Sequence, residues 1–140
     1  YLKEYRNADI EMTIQRSSIK HRADAVLPDK RIIELQRSAI SPREIHLRED
    51  FYGDKLIWVF DTRDAYRENR FEIKRRIGKE RTFRWKHPRK SIASATREVV
   101  LDLGDGRLFW ITKIYFRERC GGLGTVHYWP ELTNYEMGEP

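Results

Sequence analysis

One cysteine, Cys120, serves a chain of 140 residues. That excludes an intrachain disulfide and a cysteine-based zinc site, and it fits a reducing, cytoplasmic setting. The four histidines (His21, His46, His87 and His127) are scattered, and no pair has the spacing that puts two ligands on one helix face. No apolar run approaches the roughly 18 residues that a membrane-spanning helix needs, so no membrane partner is expected. The chain opens on Tyr1 without a basic-then-apolar leader, so no signal peptide is expected. A first residue other than Met suggests a trimmed chain or an excised domain. Internal repeats and low-complexity tracts are also absent.

What is present is one domain's worth of chain, with 36% charged and 39% hydrophobic residues, enough apolar material for a sizeable core. The net charge of +6 is unevenly spread. Residues 63–98 hold 13 Lys/Arg against 5 Asp/Glu, a net of +8, while the rest of the chain holds 15 against 17, a net of −2. A basic block of this density with interleaved aromatics points to a polyanion, and nucleic acid is the expected partner. The alternative is a merely solvated surface. The chain therefore divides into 8–62, a basic segment 63–98, and 99–140.

Hydrophobic periodicity sets the elements. YLKEYRN at the start can be the tail of a helix. From Ala8, Ile10, Met12 and Ile14 alternate with polar residues, as a half-buried strand does. Residues 22–28 form a second strand closed by Pro28-Asp29-Lys30, and 31–38 form a third. Ser41, Pro42 and Glu44 make a helix start with proline at its favoured place, and Gly53 supplies the stop, which predicts a helix over 42–52. KLIWVFD (55–61) reads as a buried central strand. A helix is expected near 64–76. VVLDLGDGRLFWITKIYF reads as a hairpin turning at Asp105-Gly106, and the glycine-containing stretch after it (CGGLGT) as an irregular tail. The expected class is α/β with a β-β-β-α-β core, a helix preceding it if YLKEYRN is one, and an added C-terminal hairpin.

Asp24, Glu34 and Gln36 sit inside these strands. Arg22, Asp24 and Val26 share a face of the second strand, and Ile32, Glu34, Gln36 and Ser38 share a face of the third. If the two pair as a hairpin, Asp24 and Glu34 meet on one side of the sheet. Adjacent carboxylates repel, so one takes a proton unless a cation sits between them. Carboxylate oxygens with a backbone carbonyl are the ligands Mg²⁺ prefers, and a cation held there can activate water and stabilise charge on a phosphoryl oxygen. Gln36 would orient the water or the phosphate.

The spacing Asp-x9-Glu-x-Gln resembles the PD-(D/E)xK nuclease signature, with Gln36 where lysine usually stands. More specifically, RADAVLPDKRIIELQRSAIS, then EIHLRE, FY and LIWVFD, resemble the nuclease domain of the competence protein CoiA family over about residues 8–62. The resemblance implies a restriction-endonuclease-like core with a mixed sheet and DNA cleavage dependent on Mg²⁺ or Mn²⁺. It implies Asp24, Glu34 and the carbonyl of Leu35 as metal ligands, with Gln36 in the catalytic lysine's place. Arg48 and Tyr52 match the family's helix residues that touch phosphate or brace the site. Glu11 is a candidate supporting carboxylate, as is Glu4 if YLKEYRN is the remnant of a further helix.

Gln36 departs from the family pattern, because an amide lacks the lysine's charge and transition-state stabilisation would lean on metal or arginine. The alternative reading is an inactive nuclease fold that binds nucleic acid, DNA first and RNA not excluded, alone, as a homodimer or in a larger assembly. A third reading is a protein-interaction domain whose basic segment meets an acidic partner. In FRWKHPRK, Phe83 and Trp85 would face inward while Arg84, Lys86, Arg89 and Lys90 contact phosphates.

Overall fold

Ser41 starts the first helix as its sequence requires. Its hydroxyl accepts from the Glu44 N–H at 3.1 Å, and Pro42 occupies a first-turn position whose missing N–H costs nothing. The helix α1 spans Pro42–Tyr52 and ends at Gly53, whose φ of 70° suits glycine and whose N–H returns to the Glu49 carbonyl. This is a computed structural model, and it describes residues 9–10, 13–16, 19–22, 24–116 and 119–129. YLKEYRN, Glu4 and Glu11 lie outside the described residues.

Two sheets are formed among the described residues. The main sheet has nine strands. They are β1 (Asp9–Ile10), β4 (Ala25–Val26), β5 (Ile32–Gln36), β6 (Leu56–Asp61), β9 (Glu98–Gly104), β10 (Arg107–Phe116), β11 (Cys120–Tyr128), β8 (Glu80–Trp85) and β7 (Phe71–Ile77), in that spatial order. β5, β6 and β9 run parallel to one another, and the remaining neighbours pair antiparallel, so the sheet is mixed and the class is α/β. β2 (Thr13–Arg16) and β3 (Ile19–Arg22) form a separate antiparallel pair. The single strand expected from Ala8 is thus split into β1 and β2. The strand expected over 22–28 is shorter, with Arg22 closing β3 and only Ala25–Val26 pairing with β5.

The LIWVF run is central because every residue in it is buried; alternation sends Trp58 and Phe60 to one face and Ile57 and Val59 to the other. The first face carries the larger cluster, roofed by Ile45, Phe51 and Tyr52 of α1. Each such large apolar side chain contributes about 1.5–3 kcal/mol on burial. Thr62, buried at the end of β6, leads into α2 (Arg63–Arg67).

Beyond α2 the structure corrects two expectations. The helix expected over 64–76 stops at Arg67, and Phe71–Ile77 becomes strand β7. Phe71 explains this: its ring lies 5.3 Å from Phe83, 5.4 Å from Trp85 and 5.5 Å from Phe109, contacts that only a strand paired with β8 can supply. The stretch after the β9–β10 hairpin, expected to be irregular, is strand β11, joining β10 to β8. Its glycines are there for clearance. A Cβ on Gly124 would lie 2.3 Å from the Phe109 ring, so the strand passes under that ring only without a side chain. The expected hairpin at Asp105-Gly106 does form, both residues having positive φ (54° and 76°) as a two-residue turn of the mirror-image type I geometry demands.

Candidate functional site

The register of β4 on β5 pairs Ala25 with Ile33 and Val26 with Ile32, so the next positions along, Asp24 and Glu34, come opposite each other. Each also binds the other's strand. The Leu35 N–H donates to Asp24 Oδ2 at 2.7 Å, and the Asp24 N–H reaches Glu34 Oε2 at 3.4 Å. A residue's N–H and C=O point to the same edge of a strand. The Leu35 carbonyl therefore faces the side on which Asp24 sits, beyond the end of β4.

Alternation places Glu34 beneath α1, where it is 1% exposed. Arg48 descends from the helix and donates through Nη1 to Glu34 Oε1 at 3.1 Å and through Nε to Glu44 Oε1 at 2.9 Å. Tyr52, one turn further on, is buried beside it. Burial pushes the Glu34 carboxyl up to about 8; the hydrogen bond and negative charge of Asp24 add to this, and Arg48 only partly opposes it. Burial, and next the charge of Glu34, also raise the Tyr52 phenol, which stays protonated. Near pH 7 the Glu34 carboxyl therefore holds its proton, beside Asp24 and under the Arg48 guanidinium.

This donor set fits a hard divalent cation. Two carboxylates and a carbonyl are oxygen ligands of the kind Mg²⁺ takes. Among the described residues no third Asp, Glu, His or Cys joins them.

Gln36 shares the face of Glu34, but its amide is engaged locally, donating to the Ser38 carbonyl at 2.9 Å. No hydrogen bond joins it to Asp24 or Glu34 among the described residues. The four basic residues expected to meet phosphate divide between two grooves. Arg84 and Lys86 line one of about 410 Å³ with Phe116 and Arg119. Arg89 and Lys90 line another of about 430 Å³ beside the start of α1. Phe83 and Trp85 are buried on the opposite side of β8, as the alternation predicts.

Glu49 is a buried acid that the sequence reading missed. It is 3% exposed and accepts from Trp58 Nε1 (3.0 Å), the Thr96 N–H (2.8 Å) and hydroxyl (2.9 Å), and the Arg97 N–H (3.0 Å). Burial alone would raise its carboxyl, but these donors outweigh it and hold the group below the usual range. Glu49 thus ties α1 to β6 and to the segment entering β9, fixing the helix that carries Arg48. Its helical spacing to Ile45 and Tyr52 was a usable signal; its partners at 96 and 97 lie too far along the chain to be read locally.

None of the family models, curated proteins or solved structures compared with this chain matches it.

Proposed function

We propose that the chain is a Mg²⁺- or Mn²⁺-dependent nuclease that hydrolyses DNA phosphodiester bonds, built on a restriction-endonuclease-like core. The observation that carries this reading is the pairing of Asp24 with Glu34 across β4 and β5, beneath Arg48 and beside the Leu35 carbonyl. The sequence resemblance to the CoiA family over about residues 8–62 supports the same roles, and so does the β-β-β-α-β order of β1, β4, β5, α1 and β6.

Asp24, Glu34 and the Leu35 carbonyl would hold the cation. When bound, it supplies Lewis acidity for a phosphoryl oxygen and makes water a better nucleophile. Glu34 would have to release its proton to serve as a ligand. Arg48 stays within reach of Glu34 and of incoming phosphate, a charge that Gln36 lacks. Gln36 can turn its amide from Ser38 toward water or phosphate at the cost of one exposed hydrogen bond, about 1 kcal/mol. The grooves lined by Arg84, Lys86, Arg89 and Lys90 bind the backbone, and a two-fold dimer would suit cutting of both strands.

A second reading is a catalytically silent nucleic-acid-binding module, favoured by the engagement of Gln36 with Ser38. Cleavage of plasmid and single-stranded DNA, with Mg²⁺, Mn²⁺ or EDTA, separates the two. Metal-dependent cutting that falls by about 10³-fold in both Asp24→Ala and Glu34→Ala is expected. Binding without cutting, unaffected by either substitution, would favour the silent module.

A further inference from the structure

The C-terminal ends of parallel strands are where open α/β sheets bind ligands. Here the ends of β5 and β6 open onto a pocket of about 180 Å³ whose lining includes Arg37, Thr62, Arg70, Trp85, His87 and Arg89. This is smaller than a typical drug-sized site and has room for about six waters, which suits a phosphate group but not a nucleoside.

Charge and hydrogen bonding favour an anion. The two acids on the wall carry their own cations, Asp61 held by a two-pronged Arg63 contact (both 2.8 Å) and Asp64 by Arg67. Arg70 is likewise matched by Glu68 at 2.8 Å. Arg89 is different. Its Nη1 and Nη2 donate to the carbonyls of Ser38 (3.2 Å) and Arg37 (2.7 Å), neutral acceptors that fix the guanidinium without cancelling its charge. Among the described residues no salt bridge reaches it, although across the same pocket its charge adds to the Arg63 contacts that hold the Asp61 carboxyl low. Trp85 adds an unfilled donor: the residue is 4% exposed, and its indole N–H is buried with no acceptor. An indole N–H can only donate, and leaving one buried and unmet is costly. A guanidinium held in place by neutral carbonyls, beside a residue that carries a buried unmet donor, suits this small pocket to an oxyanion.

We infer that this pocket seats one phosphate group of a nucleic-acid strand, with Arg89 and the Trp85 indole N–H as its principal contacts. The inference rests on the nuclease reading for the source of the phosphate. It also places the strand: Arg37 follows Glu34 by three residues, about 10 Å along β5, so a strand held here passes Gln36 and reaches the carboxylate pair.

The test uses the full chain in EDTA, so that no cleavage enters, and measures thermal stabilisation by inorganic phosphate against chloride at equal ionic strength. Phosphate should raise the midpoint of the native chain and of Asp24→Asn equally, because neither result depends on the carboxylate site. Trp85→Phe keeps the ring and removes the donor. Its midpoint without phosphate should equal or exceed the native one, while its phosphate affinity falls about tenfold, the loss of one hydrogen bond to a charged group. Arg89→Gln should lose affinity by at least as much. Oligonucleotides bearing a 5′-phosphate, a 3′-phosphate or neither identify the source: a Trp85→Phe loss confined to one form assigns a terminal phosphate, and an equal loss in all three assigns an internal one. No stabilisation beyond chloride, or native affinity in both variants, would overturn the inference, whatever the cleavage assay had found.

Discussion

Glu34 in β5 is 1% exposed and meets its partner Asp24 across two adjacent strands, whereas Lys74, Arg75 and Arg76 in β7 are exposed to solvent at the far edge of the same sheet. At the β4–β5 end polar groups point into the protein and apolar neighbours surround them. At the β8–β7 end Phe71, Phe83 and Trp85 fill the interior and the cations point out. The two ends differ in which residue types face inward, and in β7 the register on β8 shifts between Ile73 and Arg76, so that Lys74, Arg75 and Arg76 are exposed together. Burying a carboxyl costs free energy that packing does not return, and a chain carries that cost where the group has work to do. Exposed cations cost almost nothing and confer affinity for polyanions by numbers. On the proposed reading the first end would carry the chemistry and the second would hold the strand.

That contrast can be strained from either side. The largest effect is expected at Glu49, which is buried but fully hydrogen-bonded. Glu49→Ala leaves the Trp58, Thr96 and Arg97 donors unmet and should destabilise by about 3–5 kcal/mol in urea unfolding. An effect below about 1 kcal/mol would mean the α1 tie is dispensable.

Glu34 should behave in the opposite way. Its carboxyl in the folded state, about 8, lies above the usual 4.5. Below 4.5 folded and unfolded chains both hold the proton. As pH rises through 4.5 toward 8 the unfolded chain releases it first, so metal-free stability declines and then levels off. Glu34→Gln, which mimics the protonated form, should therefore match the native chain at pH 4 and exceed it by about 3 kcal/mol at pH 7. A variant that is less stable than the native chain at both pH values would contradict this picture of the site. The smallest effects belong to the basic end. Arg84→Ala with Lys86→Ala should leave stability within about 0.5 kcal/mol and reduce the salt slope of DNA binding by about one per charge removed. An unchanged slope would move the DNA elsewhere.

How far these features were legible in the sequence follows how local their causes are. Asp24 and Glu34 could be placed opposite each other because the strands that bring them together are joined by one short turn at Pro28-Asp29-Lys30. The helix over 42–52 carried its own start and stop, and Asp105-Gly106 carried its own turn. Phe71–Ile77 was misread because charged residues there mimic a helix surface, while the partners that make it a strand, Phe83 and Phe109, lie further along the chain. β11 was misread because its glycines look like loop residues until the Phe109 ring is seen crossing Gly124. Gln36 was assigned a face correctly, but its local engagement with Ser38 depends on how the chain leaves β5. Glu49, Trp85 and Arg89 acquire their roles from residues far away, and no short pattern announces them.

The central claim is the proposal that Asp24 and Glu34 hold a divalent cation in exchange for the proton on Glu34. Calorimetric titration of Mn²⁺ into the full chain between pH 5 and pH 9 tests it most directly, with Asp24→Asn and Glu34→Gln alongside. Because the cation must displace a proton that leaves at about 8, affinity should climb by up to about tenfold per pH unit and flatten above that value, and both variants should lose it. Binding that is independent of pH, or that survives in Asp24→Asn, would contradict the account.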